Sequence, residues 1–262
     1  MPSAGDVERF VYCAHNWWLA KQGNDGEGGD AGMEAHDRLG EAQQGVEARK
    51  RDYRDGMRWS FRILLVAMSV TFLGLELVYL RAEKLHWVFF ATALVLVGSS
   101  TSLLVIALDA QRRYRNQQKE SGLVPGKVVD SDLAGAGRLL HDPEWDLTGR
   151  PDYILETPHG SVPVEVKSRS APDRPFDSHR FQVATYLRLL EANGQVPEYG
   201  LLNYKDGVFR IGWDDETRAD LRIVVDRLHA AEQSGHADRD HEHPARCAGC
   251  ARRDACDQRL EA

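Results

Sequence analysis

The sequence predicts a mixed α/β domain, interrupted by an apolar helical hairpin and closed end to end by a cysteine clasp. Three observations carry this. Two apolar runs, residues 61–80 and 85–108, stand inside a chain of otherwise mixed polarity. From Val128 onward, strand-like and helix-like patterns alternate. The four cysteines divide one and three, with Cys13 near the start and Cys247, Cys250 and Cys256 near the end.

In chain order, residues 1–22 read as an amphipathic helix containing Cys13, followed by a Gly-rich loop over 23–32. Residues 33–58 read as a charged helix that carries His36 and runs into the first apolar run. Run 61–80 is broken only by Arg62 and Glu76, and run 85–108 contains no Asp, Glu, Lys or Arg. Each reaches the ~20 residues needed to cross a bilayer core, and the short connector Arg81-Ala-Glu-Lys84 makes the pair a hairpin. Arg49, Lys50, Arg51, Arg54 and Arg58 precede it, and Arg112, Arg113, Arg115 and Lys119 follow it. Basic flanks favour the cytoplasmic side, so both ends point inward. Glu76 in lipid is costly unless protonated or paired, as in a homo-oligomer.

Beyond the hairpin, Tyr153-Ile-Leu and Val162-Pro-Val-Glu-Val read as strands joined through Thr157-Pro-His-Gly160. Residues 181–192 read as a helix ended by Asn193-Gly194, and 199–204 with 208–213 as a hairpin around Lys205-Asp-Gly207. Residues 218–233 read as a helix, then a His/Asp-rich linker leads to the cysteine tail. The expected organisation is 1–58, an N-terminal helical part with the first cysteine; 59–110, a transmembrane hairpin; 111–234, the core; and 235–262, the cysteine tail.

The net charge of −7 gives no global nucleic-acid signature, so any such binding needs a local basic groove. Residues 1–30 hold Glu8, Arg9, His15 and Lys21 rather than an apolar run, so no export signal is expected. The thiols are then better read as metal ligands than as disulfides.

Chemistry concentrates after Gly149. Asp152 and Glu165 lie on or beside successive strands, and Glu165 and Lys167, two apart, share a strand face. Two carboxylates suit Mg²⁺ or Mn²⁺, and a neighbouring lysine suits phosphate charge. Alone, Asp-x12-Glu-x-Lys is a weak pattern, since surface strands often carry Glu and Lys two apart. Gln182 and Tyr186, four apart, share a helix face. Arg150, Lys167, Arg169, Arg174 and Arg180 cluster around these motifs in sequence and could line a groove for DNA phosphates, while surface solvation explains any one of them equally well.

Taken in order, Cys13, His36, Gly149-Arg-Pro-Asp152, Glu165-Val-Lys167, Gln182-Val-Ala-Thr-Tyr186 and Cys247, Cys250, Cys256 resemble the CRISPR-associated exonuclease family written Cas-four. That family belongs to the RecB-like branch of the P-D-(D/E)-x-K nucleases. The resemblance implies a restriction-endonuclease-like α/β core. It implies that His36, Asp152, Glu165 and the Val166 carbonyl hold the divalent metal, that Lys167 is catalytic, and that Gln182 and Tyr186 position substrate or site. His15 and His141 are the alternative histidines. It further implies a 4Fe–4S cluster on the four cysteines, although their spacing accepts zinc as well. The implied substrate is single-stranded DNA cut 5′ to 3′, with CRISPR integrase proteins as partners in spacer acquisition. The hairpin between His36 and Asp152 departs from the family pattern. It leaves two other readings open: a non-CRISPR defence or repair nuclease, and a membrane-tethered DNA-binding or redox-sensing subunit with an inactive site.

Overall fold

The computed structural model describes residues 1–23, 29–79, 85–120, 124, 127–132, 137–158 and 160–261, with the side chains of 29–47, 77, 79, 85–86, 114 and 117–120 outside the described set. Two compact units result: residues 1–40 with 122–262, and residues 41–121.

The first unit is a sheet covered by helices. The N-terminus opens with α1 (Ala4–Tyr12) and α2 (Ala14–Lys21). The expected single helix is thus two, because Cys13 adopts extended backbone (φ −169°, ψ 122°) and serves as C-cap of one and N-cap of the next. Ser3 caps α1 reciprocally with Asp6: Asp6 N–H donates to Ser3 Oγ at 3.1 Å, and Ser3 N–H donates to Asp6 Oδ2 at 2.8 Å. The start of α1 is tied to the sheet region by Thr148 N–H donating to the Pro2 carbonyl.

The described elements that follow the apolar helices α3 (Gly29–Tyr79) and α4 (Leu85–Glu120) are β1 (Lys127–Ser131), β2 (Leu140–Asp142), β3 (Leu147–Gly149), β4 (Tyr153–Thr157), β5 (Gly160–Lys167), α5 (Asp177–Ala192), β6 (Tyr199–Tyr204), β7 (Val208–Gly212), α6 (Asp215–Ser234), α7 (Pro244–Ala248) and a 3₁₀ turn at Arg253–Ala255. The main sheet runs β1-β4-β5-β6-β7, and β2-β3 form a separate two-stranded ribbon. All neighbours are antiparallel except β5 and β6, which are parallel and joined through α5. That crossover lays α5 over the sheet, with α1 packed on α5. Parallel pairs are normally covered on both faces. Leu187, Leu189, Leu190, Leu202 and Val7 form the core on one side, and Tyr153, Leu155, Val162 and Val164 fill the other.

Two glycines make this packing feasible. A Cβ on Gly200 would lie 2.4 Å from Val183 Cγ1, so only glycine lets α5 approach β6 there. A Cβ on Gly149 would meet Leu189, Ala4 and Tyr186 at 3.0–3.2 Å. Gly149 thus serves close packing, and its backbone is not left-handed.

The second unit pairs α3 with α4. Windows 48–76 and 87–113 are long and apolar enough to cross a membrane by length and composition, with mean hydropathies of 1.4 and 2.1. A seam of small residues faces inward: Ser60, Ala67, Ala93, Ser100 and Ala107 are buried. Gly56 and Ala107 nearly touch, with a Cβ on Gly56 falling 3.2 Å from Ala107 Cβ. The hydroxyls of Ser60 and Ser100 each donate to the other's carbonyl at 2.9 Å. Outward-facing Phe61, Phe72, Leu94, Val95 and Ile106 are exposed.

Candidate active site

The hairpin β4–β5 loses its ladder where the chemistry begins. Pairing ends at Tyr153↔Val164, after which β5 pairs only with β6, Glu165 against Leu202 and Lys167 against Tyr204. Val166 N–H, freed from β4, donates instead to Asp152 Oδ2 at 2.6 Å. On an extended strand a residue's N–H and C=O leave along the same edge, so the Val166 carbonyl faces the side on which Asp152 stands.

Asp152, Glu165, Gln182 and Tyr186 are all buried. Lys167 is held by three groups. Its ammonium donates to Gln182 Oε1 at 2.7 Å and Glu8 Oε1 at 3.0 Å, and lies 3.1 Å from Glu165 Oε1. Gln182 Nε2 donates in turn to the Tyr186 hydroxyl at 3.3 Å. Asp152, Glu165, Lys167, Gln182 and Tyr186 therefore converge on one cluster.

The electrostatics follow from burial. Asp152 is pushed well above the usual carboxylate range by desolvation and then by the Glu165 charge. Burial alone would depress Lys167, but the Glu165 and Glu8 carboxylates outweigh it and raise its pKa. Tyr186 is raised by burial and by the two carboxylates, so its phenol stays protonated. Glu165 Oε2 is buried without a hydrogen-bond partner. A buried carboxylate oxygen left unpaired is costly. Two carboxylates and a carbonyl in that position are the hard oxygen donors that a divalent cation takes, so these residues fit one.

Two groups escaped the sequence reading. Glu8 reaches the cluster from α1, and His179 stands on α5 one turn before Gln182. His179 Nδ1 lies 2.7 Å from the Tyr204 hydroxyl, and its Nε2 lies 3.4 Å from Glu8 Oε1. Desolvation, then Lys167 and Arg169, lower its pKa to about 3. The neutral ring satisfies both neighbours if Nε2 carries the proton toward Glu8 and Nδ1 accepts from Tyr204. His179, Gln182 and Tyr186 are spaced i, i+3, i+7, a helical face that the sequence does display. Glu8 had no comparable signal: its partner Lys167 is 159 residues away.

The expected metal histidine, His36, lies on α3 among side chains outside the described residues. Its alternatives stand elsewhere: His141 is exposed on β2. His15 is buried beside the C-terminal tail, against the Ala237 carbonyl and Asp257. Of the expected basic groove, Arg169 lines the cavity beside Glu8. Arg150 pairs with Asp132, and Arg180 with Asp177 and Asp220.

At the other end of α1, the chain termini meet. Cys13, Cys247, Cys250 and Cys256 line one cavity and form no disulfide. Burial raises the Cys13 and Cys256 thiols. Arg239, Arg246, Arg253 and Arg259 line the same cavity, which suits a centre made net negative by four thiolates. The tail is also docked by protein contacts: Tyr12 Oη donates to the Arg246 carbonyl at 2.7 Å, Ala14 N–H to Asp240, and Trp18 Nε1 to the Gly235 carbonyl. His15 Nε2, Cys256 Sγ and an Asp257 oxygen additionally lie within 4.8 Å of one another.

Among curated proteins none matches this sequence. A solved structure titled "Crystal structure of SSO0001" is 16% identical over 79% of this chain and 96% of its own, with a TM-score of 0.34. The family model described as "PD-(D/E)XK nuclease superfamily" matches residues 3–257. That span takes in both cysteine-bearing ends and Asp152, Glu165, Lys167, Gln182 and Tyr186, and the chain belongs to this superfamily of metal-dependent nucleases.

Proposed function

We propose that the protein is a membrane-anchored exonuclease of the Cas-four type, acting on single-stranded DNA ends with 5′ to 3′ polarity. The observation that carries the reading is Glu165 Oε2, buried without a partner beside Asp152 and Lys167. Asp152, Glu165 and the Val166 carbonyl would hold Mg²⁺ or Mn²⁺, with His36 as a proposed nitrogen ligand. The ion would supply Lewis acidity toward the phosphodiester and lower the pKa of water. Lys167, kept charged and fixed by Gln182 and Glu8, holds a positive charge where phosphate charge develops. Tyr186 and Gln182 exclude water behind it. A vestigial, purely regulatory site is disfavoured, because a lysine with no catalytic task would not need three groups to hold it.

Cys13, Cys247, Cys250 and Cys256 would hold a 4Fe–4S cluster, closing the C-terminal tail over the α1–α2 junction. Residues 59–108 would anchor the protein in the cytoplasmic membrane with the nuclease domain inside, and Glu76 would be relieved by pairing in a homo-oligomer. Work with CRISPR integrase proteins in spacer acquisition is part of the same proposal.

The test is anaerobic purification in detergent, then metal analysis and Mn²⁺-dependent digestion of end-labelled single-stranded DNA. Progressive loss of nucleotides from the 5′ end supports the reading. A colourless, zinc-loaded and inactive protein would sink it, and cleavage confined to duplex interiors would sink its exonuclease part.

A further inference from the structure

A groove of about 630 Å³ opens directly beside the catalytic cluster, sharing Glu8 and His179 with it. Its far end reaches the cysteine tail at Arg246 and Cys250. Arg9, Arg169 and Phe176 line the groove as well. Phe176 is the residue before α5 and is 39% exposed. The Arg169 guanidinium lies over its ring at 4.6 Å, and His179 meets the ring edge-on at 5.5 Å. Among the described residues Arg169 has no carboxylate partner, whereas Arg150 and Arg180 do.

We infer that this groove takes an unpaired DNA strand, with the Phe176–Arg169 pair as the platform on which a base stacks; the inference rests on the nuclease reading and names where its substrate lies. Stacked arginine–aromatic pairs also occur elsewhere on this protein, as at Arg210 and Tyr199. This pair differs in lining a cavity whose wall includes Glu8, the residue that accepts from Lys167, and His179 beside it. The chain Phe176–His179–Glu8–Lys167 joins platform to catalytic lysine by contacts of 5.5, 3.4 and 3.0 Å. In charge the groove is mixed: Glu8 and Asp177 line it and Arg9 is paired with Asp6, so Arg169, with Arg246 on the tail side, supplies the positive charge that can meet phosphates. A duplex keeps its bases stacked on one another, so a platform of this kind selects a frayed or single strand. Because Tyr12, Asn16, Arg246 and Cys250 line both the groove and the cysteine cavity, the tail forms one wall of the substrate path.

The test measures equilibrium binding of a fluorescent single-stranded oligonucleotide to the full-length protein in detergent, with Ca²⁺ replacing the catalytic ion. Phe176→Ala should weaken binding about 5- to 150-fold, the range for one lost stacked base, and Phe176→Trp should restore it. An abasic walk along the oligonucleotide on unaltered protein should find one or two positions near the cut end where base loss costs the same. Those losses should vanish in Phe176→Ala. A flat abasic profile overturns the platform even if the variant fails to fold. Unchanged binding by a folded Phe176→Ala protein, while the unaltered protein digests single strands, overturns the platform and leaves the nuclease reading intact. An unaltered protein that neither binds nor digests DNA overturns both.

Discussion

The Lys167 ammonium donates to the Gln182 amide oxygen at 2.7 Å, so a helix face holds the head of a side chain rooted on β5. A lysine loses much rotamer freedom when its head is fixed, and Gln182 supplies the fixation. Gln182→Leu should lower kcat about 10- to 100-fold, the usual cost of losing a group that orients a catalytic residue. Gln182→Glu can still accept from Lys167 and from the Tyr186 hydroxyl, and should recover most of the rate. Steady-state kinetics on a labelled single strand, with melting curves as the folding check, distinguish orientation from collapse. Equal losses in both variants would refute the orienting role.

Under the proposed function, Asp152 sets metal binding against the stability of the metal-free fold. Its carboxylate is buried and raised, so the ionised form at neutral pH is a cost that a bound cation would offset. Asp152→Asn keeps an oxygen to accept from Val166 N–H and removes that cost. Without divalent metal, the variant should melt higher than the unaltered protein at pH 7. It should also lose activity and the upward melting shift on adding Mn²⁺. A variant that melts lower, or that keeps the Mn²⁺ shift, contradicts this placement of the ion.

His179 makes stability fall on the acid side. Its pKa drops from 6.5 in the unfolded chain to about 3 in the fold. Between those values the unfolded state binds the extra proton, so stability rises with pH there and is lost as pH falls from about 6.5 toward 3. His179→Gln removes the titration and should flatten that limb. Melting temperatures from pH 7 to pH 4 in metal-free buffer measure it. A parallel pair of curves would show that the slope comes from other groups.

The parts legible in the sequence were those written by local pattern. The α5 helix, the β4–β5 and β6–β7 hairpins and the motifs Glu165-Val-Lys167 and Gln182-x-x-x-Tyr186 all depend on periods of two or 3.6 residues. The strands β2 and β3 carry three residues each, too few for a period to register, and β1, Lys-Val-Val-Asp-Ser, alternates too weakly to stand out. The break at Cys13 was hidden because helix propensity continues through it, while its extended backbone occurs where the tail cysteines meet it, a contact between sequence ends that no local pattern records. Glu8 was illegible for a similar reason: its role exists only once α1 crosses α5 and meets a lysine from the far end of the fold.

The cysteine end makes a separable prediction. Cys13→Ala removes one thiolate but leaves Tyr12–Arg246, Ala14–Asp240 and Trp18–Gly235 in place. If the four cysteines hold the proposed cluster, bound iron should be lost, and residues 235–261 should become faster to cleave by protease. The Mn²⁺ shift at Asp152 and Glu165 should persist, because those residues are rooted on the sheet. Elemental analysis of the unaltered protein distinguishes iron from zinc. A tail equally resistant with and without Cys13 would mean that the protein contacts alone hold it.

The two apolar helices test whether packing or hydrogen bonding holds a hairpin whose seam is built from small residues. Ser60 and Ser100 exchange two hydrogen bonds at 2.9 Å, which invites the view that they are the glue. In lipid such bonds average only about 0.6 kcal/mol each, because the separated helices find other partners. The close approach at Gly56–Ala107 and the burial of Ala67 and Ala93 instead place helix against helix with no room for a larger side chain. Replacing both serines by alanine should therefore cost about 1 kcal/mol. Ala67→Leu should cost more, in the range of about 1–3 kcal/mol for overpacking. Reversible unfolding of the full chain in detergent micelles, followed by energy transfer between labels on α3 and α4, ranks the two. The opposite order would make the serine pair the principal tie, and the small-residue seam a consequence of it.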